Sequence, residues 1–163
     1  MSKGKIIALT ALIAFAFAIV GLSNAVAGEK IQIQCRAAKY TPKVEAIQVG
    51  DEEGHMLILA ENIGIHFNLK GKPFMHGWSH RDMYVWDTGT NSGHGYEEII
   101  DKDGDKIYMA WDGKAVEGGS KGTWGFFKGT GKFEGITAKG TWISYDIAPN
   151  QSYVDWEGEV ELP

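Results

Sequence analysis

His76-Gly77-Trp78-Ser79-His80 concentrates more chemistry-bearing side chains than any other stretch of the sequence. Two histidines four apart share one face of a helix, and equally one face of a strand. Joined by His66 or His94, they would offer nitrogen donors to a metal ion. The glutamate of H-E-x-x-H is missing, and Gly77 weakens a helix here. The pair therefore reads as surface or loop histidines near the mouth of a β structure, and neither metal nor cofactor is assigned. Glu97, Glu98 and His94 flank Tyr96, and in a pocket they could move protons. Carboxylates at turns are normally solvated, so no catalytic residue is assigned. Asp101-Lys102-Asp103-Gly104-Asp105 is acidic enough for calcium, but it lacks the spacing and the twelfth-position glutamate of an EF-hand. It reads as a hairpin tip. Cys35 is the single cysteine, so an internal disulfide is excluded. Ile31, Ile33 and Cys35 alternate with Gln32 and Gln34, which makes Cys35 a buried apolar filler. The sequence has no G-x-S-x-G, no P-loop and no Cys–His pair at a recognisable spacing.

The aromatic residues carry more information. Trp78, Tyr84, Trp86, Tyr96, Trp111, Trp124 and Trp142 come from different segments, and pointing inward they make either a plain aromatic core or an amphipathic pocket. The ligand site expected from their density is Trp78, His80, Tyr84, Trp86, His94 and Tyr96. Gly93-His94-Gly95 would be the flexible turn that admits the ligand.

The elements that must position these residues are strands. Period-two alternation recurs in Val44–Val49, His55–Asn62, Arg81–Thr88, Tyr96–Asp101, Lys106–Asp112, Gly122–Lys128, Lys139–Ile147 and Tyr153–Leu162, with no sustained helical period. Asp103-Gly104 signals a type I′ hairpin. Lys121-Gly122-Thr123-Trp124 is repeated as Lys139-Gly140-Thr141-Trp142, which reads as two neighbouring strands of one meander. About eight strands at such spacings predict an all-β fold, and closing them into a single antiparallel eight-stranded β-barrel removes the exposed edges. A barrel of this size is either filled by side chains or just wide enough for one small ligand.

Gly129-Thr130-Gly131-Lys132-Phe133-Glu134-Gly135-Ile136-Thr137-Ala138-Lys139-Gly140 resembles the G-T-G-x-F-x-G-x-x-G signature of the allene oxide cyclase and dirigent-type barrels. Trp156-Glu157-Gly158-Glu159 is similar to the closing strand of small bacterial exported members. The resemblance implies a calycin-like, allene oxide cyclase-like barrel in which Phe133 plugs one end. Related barrels often form trimers, which implies a homo-oligomer, trimer or dimer. Glu45 stands on an early strand, where allene oxide cyclases place a catalytic glutamate, but its surroundings do not match and no catalytic role is carried over.

Residues 1–27 read as a signal peptide and 28–163 as the single barrel domain. Lys3 and Lys5 form a charged start, Ile6 to Leu22 an apolar signal helix, and Ala25-Val26-Ala27 a cleavage site. The expected location is periplasmic or secreted. Removing Lys3 and Lys5 from 16 basic residues, against 21 acidic ones, leaves a net charge of about −7. Such a chain is unsuited to nucleic acid or to anionic membrane once the signal is cleaved. Three readings remain open: an exported barrel binding a small apolar or aromatic molecule, a cofactor-independent cyclase- or isomerase-like enzyme, and a filled barrel acting as a structural or interaction module.

Overall fold

The structure is a computed structural model that describes residues 28–163. The expected signal helix and its cleavage site lie outside the described residues. Eight strands follow one another as a closed antiparallel meander: β1 (Lys30–Gln48), β2 (Met56–Lys70), β3 (Ser79–Asp87), β4 (Ser92–Ile100), β5 (Lys106–Val116), β6 (Gly119–Gly129), β7 (Thr137–Ala148) and β8 (Gln151–Glu161). Pairing of β1 with β8, from Lys30↔Glu161 to Tyr40↔Gln151, closes the sheet. Every strand thereby gains two neighbours, so no edge is left to template association.

Alternation works as the sequence predicts on the first half of β1 and on β8, whereas Val44 and Ile47 towards the far end of β1, and Val49 just after it, are all exposed. Ile31, Ile33, Cys35 and Ala37 form one buried row, and Val154, Trp156 and Val160 form another. Burial pushes the Cys35 thiol up to about 11, consistent with an inert filler. β2 is longer than the sequence suggests, and its outer face is apolar: Leu57, Leu59, Ile63, Ile65, Phe67 and Leu69 all point to solvent. In the lower half of the strand the period of two persists but is inverted, with apolar Ile63, Ile65, Phe67 and Leu69 outside and Asn62 and His66 buried inside.

The two K-G-T-W segments are cross-strand partners. Thr123 pairs with Thr141, which sets Trp124 opposite Gly140 and Trp142 opposite Gly122. The arrangement is reciprocal, since Trp124 Nε1 donates to the Thr141 carbonyl at 3.0 Å and Trp142 Nε1 to that of Thr123 at 3.2 Å. Each indole thus satisfies its buried N–H on the other copy of the motif.

One end of the barrel is sealed. Phe74 and Met75, from the loop between β2 and β3, meet Phe133 from the short 3₁₀ turn Gly131–Phe133 and Ile136 after it, and all four are buried. Phe133 is 6 % exposed, and its ring centroid lies 5.3 Å from that of Trp78 and 6.4 Å from that of Phe74.

Two turns differ from expectation. The Asp101–Asp105 turn is not type I′, because only Gly104 there has positive φ. It is tied by the Asp101 carboxylate, which accepts from the amides of Asp103 and Asp105 and pairs with Lys132. The β3–β4 turn ends at Asn91, so Gly93-His94-Gly95 belongs to β4 and is not a flexible loop. These glycines make room for indoles: a Cβ at Gly95 would lie 2.8 Å from Trp111 Cε2, and one at Gly93 would collide with the Trp86 ring.

Candidate functional site

The barrel is hollow at the end opposite the plug. A lumen of about 760 Å³ opens there, walled by Tyr84, Trp86, Trp111, Trp142 and Trp156. Its polar floor is Lys39, Asn62 and Asp82. Six strands supply the parts, with Trp142 from β7 and Trp156 from β8. β1 continues its inward row from Ala37 to Lys39, β2 contributes Asn62, and β5 contributes Trp111. On β3, His80, Asp82, Tyr84 and Trp86 climb from the core towards the mouth. Thr41 Oγ1 braces the floor by donating to Asn62 Oδ1 at 2.7 Å.

Asp82 is the centre of the floor. Its carboxylate accepts from Lys39 Nζ at 3.0 Å, Asn62 Nδ2 at 3.1 Å and Trp111 Nε1 at 2.8 Å. Three donors on one buried carboxylate fix its position and balance much of its desolvation. Lys39 also donates to Glu97 Oε2 at 3.2 Å, so one ammonium bridges two carboxylates. Burial alone would lower the Lys39 pKa, but the Asp82 and Glu97 charges and hydrogen bonds outweigh it and hold the ammonium charged. Burial alone would likewise raise Glu97, and the Lys39 charge and the His66 hydrogen bond hold it well below the usual carboxylate range.

Beneath the floor lies a layer that contains two histidines. His66 Nε2 donates to Glu97 Oε1 at 2.6 Å, and His80 Nδ1 stands 4.0 Å from the same oxygen. The two imidazoles meet edge to face with centroids 4.7 Å apart. Burial drives His80 down to about 3, so this imidazole is neutral. His66 Nδ1, both ring nitrogens of His80 and Trp156 Nε1 have no hydrogen-bond partner among the described residues.

The structure distributes the residues singled out in the sequence. Tyr84 and Trp86 line the lumen. His80 lies deeper, 4 % exposed, next to Glu97. Trp78 is on the far side, packed on the plug against Phe133. His94 is exposed and Tyr96 is 58 % exposed, set edge to face against Phe127 outside the barrel. Glu97, expected to be solvated, is instead buried at 1 %, because strand parity sends Tyr96 out and Glu97 in with Ile99. His76 is a surface residue whose Nδ1 accepts from the Asn68 amide.

Sequence reasoning passed over Lys39, Asn62 and Asp82, and named His66 only as a nitrogen donor beside His76 and His80. A signal existed for Lys39, which continues the row Ile31, Ile33, Cys35, Ala37. A lysine in that row must enter the core, where it needs carboxylates.

No protein-family model and no curated protein matches the sequence. Among solved structures, the chain is similar to the pterocarpan synthase dirigent protein PsPTS1, with TM-score 0.55, 8% identity, and coverage of 83% of this chain and 97% of that one. It is also similar to the pterocarpan synthase dirigent protein GePTS1, with TM-score 0.54, 9% identity, and coverage of 90% and 96%. At such identities the likeness is one of architecture. It agrees with the closed meander, and the chain shares the barrel fold of these dirigent proteins.

Proposed function

We propose that the barrel binds one small aromatic or amphipathic molecule in its lumen. The observation that carries this reading is the open cavity of about 760 Å³ with indole walls and a charged floor. That volume is in the range of small-molecule pockets, and apolar walls with a few fixed polar groups are their usual chemistry. The indoles would hold the apolar body of the ligand, while Asn62, Asp82 and Lys39 would orient its polar end. The hollow lumen weighs against a filled structural module.

The cyclase- or isomerase-like reading uses the same floor. Asp82, held by three donors at the bottom of the lumen, is the carboxylate best placed to meet a bound substrate. Both similar structures are named as pterocarpan synthase dirigent proteins, which supports this second reading at the level of fold.

Tryptophan fluorescence titrated with fatty acids, quinones and aromatic metabolites tests the site. Trp86→Phe or Tyr84→Phe should weaken a bound ligand at least threefold, about 0.6 kcal/mol. Tyr96→Phe, on the outer face, should leave its affinity unchanged. A ligand indifferent to both lumen substitutions would place the site elsewhere.

We also propose that the chain is exported and cut after Ala27, a reading supported by the charged start, the apolar stretch and the small residues of Ala25-Val26-Ala27. Mass spectrometry of the exported fraction should find a chain beginning at Gly28. Full-length chain recovered from the membrane fraction would overturn this.

A further inference from the structure

We propose that His66, His80 and Glu97 form a binding site for a zinc-class divalent transition-metal ion in the layer beneath the lumen floor. Three independent observations carry it.

The first is convergence. Adjacent strands β2, β3 and β4 each contribute one donor, and one ligand atom from each residue lies within 4.8 Å of the other two. Metal–nitrogen and metal–oxygen bonds to zinc are about 2 Å, so the three close on one ion with movements of under about 1 Å. The ion would take the place of the hydrogen between His66 Nε2 and Glu97 Oε1, and that hydrogen moves to Nδ1 of the same ring.

The second is dissatisfaction. His80 is fully buried by its side chain, yet neither of its ring nitrogens has a hydrogen-bond partner among the described residues. A buried polar atom left unpaired is costly, and nearly all such atoms in folded proteins find a partner. An imidazole lone pair aimed at a carboxylate 4.0 Å away is repelled by it unless a cation or a proton comes between them.

The third is charge. Lys39, Asp82 and Glu97 sum to one negative charge, and all three side chains are at most 5 % exposed. A buried excess charge is unfavourable unless it is paired. The Lys39 ammonium occupies Glu97 Oε2, which leaves Oε1 to face the imidazoles. Two nitrogens and one carboxylate oxygen form a borderline donor set, suited to zinc and its late first-row neighbours and not to calcium or magnesium. Such an ion would staple β2, β3 and β4 below Asp82. The site is independent of whether the lumen takes a ligand.

The test is to refold the chain from denaturant with zinc or cobalt(II), pass it through a desalting column and measure retained metal. Wild type should keep roughly one equivalent and melt at a higher temperature than the chelator-treated protein. His66→Ala and His80→Ala should each lower retention by about tenfold or more. His76→Ala with His94→Ala, which removes two surface histidines, should not. Should the core variants fail to fold, the wild-type cobalt complex decides: the intense visible absorption of low-coordinate cobalt is expected. A spectrum like that of the aqueous ion overturns the site. So does wild type without retained metal, in which case a proton supplies the missing positive charge, or retention lost only with the surface histidines.

Discussion

Replacing Lys39 with methionine should destabilise the protein by about 3–5 kcal/mol, the usual cost of leaving a buried charge without its partner. The substitution preserves most of the side chain's volume but removes the ammonium that bridges Asp82 Oδ2 and Glu97 Oε2. Two carboxylates would then share a buried layer with no cation between them. The control that separates charge from packing is Lys39→Met/Asp82→Asn/Glu97→Gln, which neutralises the whole set. Because neutral replacements of a buried ionic group are often tolerated, the triple variant should recover more than half of the loss. Denaturant unfolding of the three proteins measures this. A single variant within about 1 kcal/mol of wild type, or a triple variant no better than the single, would mean that the bridge does not carry this part of the core.

Phe133→Ala should cost a similar amount, about 3–5 kcal/mol, for a different reason. Phe133 holds the sealed end by filling the space between Phe74 and Trp78, with the Lys132 ammonium 5.3 Å from its ring centroid. Its removal leaves a cavity lined by two further aromatic rings, so the neighbours can relax only partly. Denaturant unfolding should show the loss without a change in the residues around the lumen. A loss under about 1 kcal/mol would show that the plug adjusts to the missing ring.

The sequence displayed the barrel more clearly than its contents. Trp156 and Val160 are legible as core because Glu157, Glu159 and Glu161 alternate with them, and the repeated K-G-T-W segment announces two neighbouring strands. The plug was legible through Phe133 and its surrounding glycines. The lumen floor was not, because a charged residue inside a strand has the local signature of a charged residue outside one. Tyr96 and Glu97 show the difficulty. Residue type alone places the tyrosine inside and the glutamate outside, whereas the pairing of Glu97 with Met109 on β5 and its bond to His66 reverse both. The decisive contacts join residues 31 and 58 positions apart, beyond the reach of any local pattern. Gly93 and Gly95 misled in another way. Glycine suggests flexibility, but here it answers to the volume of Trp86 and Trp111.

Both ends of the described residues, 28 and 163, lie at the sealed end of the barrel. Lys30 pairs with Glu161, and the Leu162 amide donates to the Glu29 carbonyl at 2.9 Å. The mouth lies at the other end, among the turns that follow β1, β3, β5 and β7. A barrel tethered at residue 28 or residue 163, to a bead, a sensor surface or a fused domain, therefore stands with its opening turned away from the support. The same adjacency permits residues 28 and 163 to be joined by a short linker and the barrel to be reopened at an exposed turn such as Asp51–Gly54, giving a rearranged gene order with the same eight staves.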